Sequence, residues 1–168
     1  MRSRVLVRQG GSRPGVPDGM IEVNGCEYRP GLHYDKDFQI WVRPEPDGTL
    51  SVGMTDISQT IAGRILHVRV RRPGTVRPAG KPVATIESGK WAGPVPNLFD
   101  CVIEAANGEV LSHPSLLNAD PYGAWVARVR PDGGTGQALA RLVTGQQAAD
   151  GYAERCRRED IHCKRTGK

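Results

Sequence analysis

Nowhere in the chain do about 18 apolar residues follow one another, so no membrane-spanning helix is predicted. The opening "MRSRVLVRQGGSRPG" holds too short an apolar run for a secretory signal. The two absences point to a cytoplasmic protein with no membrane partner. No Cys-x-x-Cys pair occurs among Cys26, Cys101, Cys156 and Cys163. Reduced thiols are the expectation in that compartment, those of the polar tail exposed or half-buried. His162 beside Cys163, with Cys156 nearby, supplies too few ligands for a zinc site. Acidic residues are missing from Ile57 to Ile86, a stretch that holds Arg64, Arg69, Arg71, Arg72, Arg77 and Lys81. With a formal net charge of +5, that stretch permits nucleic-acid binding or contact with acidic partners. Aromatic residues make up only 5% of the chain, and none is interleaved on the basic stretch to stack bases. No RNA- or DNA-binding motif accompanies it, so a solvated basic face is the reading, and a nucleic-acid module only a remote alternative.

The chain does carry 21 Gly and 13 Pro in 168 residues, with 38% hydrophobic residues. That composition favours many short strands joined by turns. Residues 1–19 are rich in Gly, Pro and Arg and read as a flexible extension. "FQIWVRPEPDGTLSVGM" gives two strands about an Asp47-Gly48 hairpin. "TDISQTIAG" reads as a short helix capped by Asp56, with Gln59 as capping-box partner, ended by Gly63, and with Ile57 and Ile61 facing inward. "ILHVRVRRPG" alternates with period two, Leu66, Val68 and Val70 on one side and His67, Arg69 and Arg71 on the other. Further strands are predicted over Pro82–Ile86, Phe99–Ala105 and Ala124–Pro131. Residues 20–135 therefore form the body, a mainly β sandwich or flattened barrel. Residues 136–168 form a C-terminal helical tail with a modest stripe of Leu139, Leu142 and Val143, fraying or disordered after Tyr152.

Between two of those strands lies "ATIESGKWAGPVP", where turn residues place Lys90 at an exposed bend. A lysine held out by a rigid sheet suits attachment of a swinging cofactor. Its amine must reach a ligase, and the root of the arm must stay fixed while a tethered group meets successive sites at high effective concentration. From composition alone, a solvated turn lysine is the favoured reading.

Three segments decide between these readings. "DGTLSVGMTDISQTIAG", "ESGK" and "HPSLLNADPYGAW" occur in order between about His33 and Pro131. The chain resembles the H proteins of the glycine cleavage system, a lipoyl-carrier family with a similar "VGITDYAQ" segment, then E-S-x-K, then P-x-L-x-N-x-D-P-Y-G. The resemblance implies a lipoyl-type β-barrel-sandwich hybrid with a short internal helix and a C-terminal helix. It also implies a non-catalytic carrier, with lipoate in amide linkage to Lys90. Glu87, Ser88, Gly89 and Trp91 then form the turn that faces a lipoate-protein ligase or lipoyl assembly enzymes. Asp120, Pro121, Tyr122 and Gly123 read as structural turn residues.

Departures from the family pattern bear on the cargo. The resemblance places an acidic residue before the tryptophan where this chain has Ile40, and another four residues after the lysine where it has Pro94. An aminomethyl cargo carries an ammonium near neutral pH, and burying it without a carboxylate costs several kcal/mol. Arg69 and Arg71 favour an anionic group instead. "VNGCEYRPGLHYDKDFQIW" and "ESGKWAGP" are similar to a divergent branch, the lipoate-binding proteins of sulfur oxidation, which work beside a heterodisulfide-reductase-like complex. That branch implies a sulfur-containing group accepted by dihydrolipoyl-Lys90 and offered to an oxidising partner. The alternative is a conventional H protein that serves the glycine cleavage P, T and L proteins. Cys101 stands where the family usually has glycine and reads as a small buried residue. A free-standing enzyme would need His67 or His113 with Asp120 and a cysteine, and no nucleophile–base spacing links them.

Overall fold

The computed structural model describes residues 5–7 and 20–166, the first three as backbone alone. Within them the chain is mainly β, with short helices between the sheets. The largest sheet has six strands in the order β4 (His33–Tyr34), β5 (Ile40–Pro44), β6 (Leu50–Met54), β12 (Trp125–Pro131), β11 (Cys101–Ala106) and β8 (Val76–Arg77). Its first hairpin turns where predicted. Gly48 takes φ +84°, and Asp47 Oδ1 accepts from the Thr49 amide at 3.0 Å. A second sheet runs β10 (Ala92–Val95), β9 (Ala84–Ser88), β7 (Ile65–Val70). The two sheets close on an aliphatic core that includes Val42, Leu50, Val52, Ile65, Val68, Ile86, Ile103 and Val129.

The third sheet, β1 (Val5–Val7), β2 (Ile21–Val23) and β3 (Cys26–Tyr28), joins a separate core. Aromatic residues are scarce, yet all four tyrosines, Tyr28, Tyr34, Tyr122 and Tyr152, gather there with Phe38 and Trp41. The Trp41 ring lies so close to Gly53 that an added Cβ would sit 2.3 Å from it. Trp41 Nε1 donates to the Pro121 carbonyl at 3.0 Å. Short helices α2 (Gly108–Ser112), α3 (Leu116–Ala119) and α4 (Thr135–Leu139) fill the connections.

Several expectations are corrected. Thr55, not Asp56, caps α1 (Asp56–Ala62): its side chain accepts from the Ser58 amide. Asp56 is instead a buried hub that accepts from the Glu27 amide at 3.0 Å and from Gln59 Nε2 at 2.9 Å. Gly63 does end the helix, at φ +76°. Ile57 is buried, but Ile61 is half exposed on the wall of a cleft. A register shift between Ile65 and His67 turns Ile65 inward and Leu66 out, where strict alternation placed Leu66 inside. The strand that pairs with β9 after the lysine is β10, not β11; Pro94 sits in it because β10 is an edge strand.

The C-terminal segment also differs from a frayed tail. Helix α5 (Gly145–Arg158) packs on β2 and β3 and buries Ala148, Ala149, Tyr152, Ala153 and Cys156. These recur every four residues along one face. Their small side chains read weakly as an apolar stripe, because the bulk comes from the partners: Phe38 approaches Gly151 so closely that an added Cβ would lie 2.8 Å from its ring. Beyond α5 the chain is strapped down. Cys163 is disulfide-bonded to Cys26, its amide donates to the Asn24 carbonyl at 3.0 Å, and Gln59 Nε2 donates to the Lys164 carbonyl at 2.8 Å. Arg165 pairs with Glu27 at 2.9 Å and reaches Asp56 at 3.6 Å. The expectation of reduced thiols therefore fails at Cys26 and Cys163, whose separation of 137 residues gave no spacing signal. Cys156 is buried rather than exposed, and Cys101 is buried as expected. Apart from Val5–Val7 in β1, the proposed N-terminal extension lies outside the described residues. Among the described residues no helix is long and apolar enough to cross a membrane.

The unfolded, unreduced chain should titrate two thiols, Cys101 and Cys156, and four after reduction. Reduction or Cys163→Ser should cost about 2–4 kcal/mol in urea unfolding. Four thiols before reduction, with an unchanged midpoint, would contradict the bridge.

Candidate functional site

Lys90 stands at the tip of the β9–β10 hairpin, where Glu87 pairs with Ala92. The turn is braced from inside. The Ser88 amide donates to the Trp91 carbonyl at 2.7 Å, and Ser88 Oγ accepts from the Trp91 amide at 3.0 Å. Ser88 is buried, so its hydroxyl serves the turn rather than a visiting protein. Glu87, Gly89, Lys90 and Trp91 are the residues left exposed. The Lys90 stem rests over Gly63, where an added Cβ would come 2.9 Å from its Cε. The Trp91 ring folds back over Gly93, where an added Cβ would come 2.2 Å from the ring.

Gly63 is itself held in place by Asn118, a residue the sequence reading did not single out. Asn118 Oδ1 accepts from the Ile65 amide at 3.0 Å. Its Nδ2 donates to the Gly63 carbonyl at 2.9 Å and to Gln59 Oε1 at 3.1 Å. Asn118 is the asparagine of "HPSLLNADPYGAW", and its buried position fixes the α1–β7 corner beneath the lysine. The rest of that segment is structural, as read. Asp120 Oδ1 accepts from the Gly123 amide at 3.1 Å, and Tyr122 Oη donates to the Glu27 carbonyl.

Beside the lysine turn, between α1 and β10, lies a cleft of about 290 Å³. Ile40, Met54, Ile61, Trp91 and Pro94 supply apolar wall; Gln39, Ser58 and Arg155 supply the polar groups. Ile40 and Pro94, far apart in sequence, thus meet in one cleft, and among the described residues no carboxylate lines it. Arg155 enters from α5, a helix expected to be frayed there. Arg69 does not line this cleft. It lines an adjoining depression with His67, Thr85 and Glu87, and Ile86 and Pro94 line both.

The groups considered for catalysis are dispersed. His113 caps α2, Asp120 serves its own turn, and His67 is exposed on β7. Burial pushes the Cys101 and Cys156 thiols each up to about 11, so neither is a thiolate near neutral pH.

A braced hairpin that offers one lysine above a cleft, on a rigid sheet, defines a presentation domain for a covalently attached group. Comparison with known proteins narrows that class. The glycine cleavage H-protein family matches residues 32–155. Glycine cleavage system H protein 3 of Aquifex aeolicus is 44% identical over 147 residues, covering 86% of this chain and 91% of the relative. Probable glycine cleavage system H protein 2 of Sulfolobus acidocaldarius is 40% identical over 149 residues, covering 87% and 98%. The crystal structure of a glycine cleavage system H protein from Mycobacterium marinum superposes with a TM-score of 0.63 at 25% identity, covering 74% of this chain and 98% of that one. The chain belongs to the glycine cleavage H-protein family. It is a lipoyl carrier and not a catalyst; the family bears lipoate covalently on a lysine. The mainly β fold is that of the expected barrel-sandwich hybrid.

Asn118→Ala should strand the Gly63 carbonyl and the Ile65 amide, both otherwise paired through this side chain. The expected cost is about 2–4 kcal/mol in urea unfolding, with slower attachment of lipoate at the hairpin above. An unchanged midpoint would show that the corner does not depend on the clamp.

Proposed function

We propose that Lys90 is the lipoyl attachment residue and that the arm carries a sulfur-containing group between partner enzymes. The partners on this reading are a lipoate-protein ligase or lipoyl assembly enzymes, and an oxidoreductase complex of the heterodisulfide-reductase-like type. The observation that carries the cargo reading is the cleft. It brings Ile40 and Pro94 together and offers no carboxylate to an ammonium.

The residues present fit the group. Apolar walls on Met54, Ile61 and Trp91 suit a dithiolane and its methylene chain, and Gly63 leaves room for the Lys90 stem. When bound, lipoate supplies a pair of thiols that takes up and releases a group covalently. The chain's own residues do the rest. Ser88 fixes the root of the arm, Glu87, Gly89 and Trp91 stay exposed for the ligase, and the cleft offers apolar wall to whatever rests there. Lys90 is exposed, so a ligase can reach its amine.

The second reading, a conventional H protein with an aminomethyl cargo and P, T and L partners, is favoured by the names of the relatives. Those names also leave room for divergence: relatives numbered 2, 3 and 5 come from one organism, Aquifex aeolicus. One glycine cleavage reaction does not require three carriers.

Incubation with lipoate, ATP and a lipoate-protein ligase should add one lipoyl group to the wild type and none to Lys90→Arg, read by intact mass and peptide mapping. A lipoyl group on another lysine would contradict the assignment. Loading of the lipoylated protein by glycine and P protein should be poor. It should rise by at least about tenfold in the double variant Ile40→Glu with Pro94→Asp, the gain expected from one charge-assisted hydrogen bond. Unchanged loading would mean that the missing carboxylates are not what separates this chain from conventional H proteins.

A further inference from the structure

The cleft's polar groups point one way. Arg155 is held by two partners: its Nε donates to Glu159 Oε2 at 2.8 Å, and its Nη1 donates to the Asp37 carbonyl. Among the described residues its Nη2 makes no hydrogen bond, although the guanidinium lines the cleft. Ser58 Oγ gives its proton to the Gln39 carbonyl at 2.7 Å, and the Gln39 side-chain amide, also on the cleft, has no partner among the described residues. Arg155 and Gln39, each with an unused donor, therefore both line a space with apolar walls. Among the described residues the lining has one cation and no carboxylate, and Glu159 and Asp37 hold that cation in place. Guanidinium groups bind planar or tetrahedral oxyanions through paired N–H donors, and more strongly where water is excluded.

We infer that the cleft is a resting site selective for an anionic group on the arm, and that Arg155 is the residue that reads the charge. The inference rests on the sulfur-cargo reading above and deepens it by naming the class, a sulfur terminus that carries negative charge, such as a sulfonate. Tethering explains why one guanidinium, partly neutralised by Glu159, suffices. The cargo is already delivered at high effective concentration, so a weak local preference is enough to hold it.

Sulfite is the probe. The sulfite lone pair attacks one ring sulfur of the oxidised lipoyl group, the ring S–S bond breaks, and a sulfur–sulfonate bond forms. The second ring sulfur leaves with the electron pair and takes a proton from water. No further oxidant or reductant is needed, and ring closure reverses the step by expelling sulfite. Full-length lipoylated protein is titrated with sulfite, and the opened fraction is read on the Lys90 peptide beside free lipoamide, so that attack on the Cys26–Cys163 bridge is not counted. Reduction by two equivalents of 2-mercaptoethanol, which leaves two uncharged thiols and the oxidised monothiol, corrects for accessibility. After that correction the wild type should open at about tenfold lower sulfite than Arg155→Gln or free lipoamide. Glu159→Gln, which frees the guanidinium, should open at lower sulfite still. Added salt should narrow the gap between wild type and lipoamide, a readout that needs no variant.

Equal corrected midpoints for wild type and Arg155→Gln, or no salt-sensitive gap to lipoamide, would overturn the inference and leave the lipoyl-carrier assignment standing. Failure to lipoylate Lys90 at all would overturn both.

Discussion

The clamp that Asn118 makes on the corner between α1 and β7 is the constraint on which the site depends. One buried amide holds the Gly63 carbonyl, the Ile65 amide and Gln59 Oε1. Gln59 in turn donates to Asp56 and to the Lys164 carbonyl, and Asp56 lies within reach of Arg165. Buried polar networks of this kind rigidify when fully satisfied and are costly when one member is lost. This one runs from beneath the lysine, through the helix that walls the cleft, to the disulfide-bonded strap at the C-terminus. Because the corner beneath the lysine stem, the cleft wall and the strap share one network, the surroundings of Lys90 are fixed by the fold and not by the hairpin alone.

Much of this was legible from the sequence, for identifiable reasons. The Asp47-Gly48 turn and the end of α1 at Gly63 follow from backbone preferences that glycine satisfies at positive φ. The exposed lysine turn was visible because turn residues flank it. What failed to show depends on contacts distant in sequence. Period-two alternation placed Leu66 inside, and a bulge overrode it. The buried face of α5 is built around Tyr152 from Ala148, Ala149, Ala153 and Cys156, small residues that acquire meaning only against Phe38 and the other tyrosines. The Cys26–Cys163 bridge and the Asn118 clamp join segments that no local pattern connects. Ile40 and Pro94 were noticed separately as departures; that they face one space is a statement of tertiary structure.

The cleft is where family membership and individual chemistry part. On the proposed function, the braced hairpin serves as a rigid root and the cleft beside it as the resting place of the arm. What the arm may hold depends on the groups around that resting place. An ammonium there meets Ile40, Pro94 and a guanidinium, and loses its hydration without gaining a carboxylate. An uncharged or anionic sulfur group meets apolar wall and hydrogen-bond donors. The basic side chains of β7 line the adjoining depression, which shares Ile86 and Pro94 with the cleft.

On the proposed function, this H-protein fold presents on Lys90 a cargo that is not an amine. The most direct test is to purify the protein from its own host without reductant, isolate the Lys90 peptide, and measure at high mass resolution what the lipoyl group carries. A sulfur or sulfur–oxygen increment on that peptide is the predicted result. An aminomethyl increment would contradict the account and return the chain to conventional glycine cleavage.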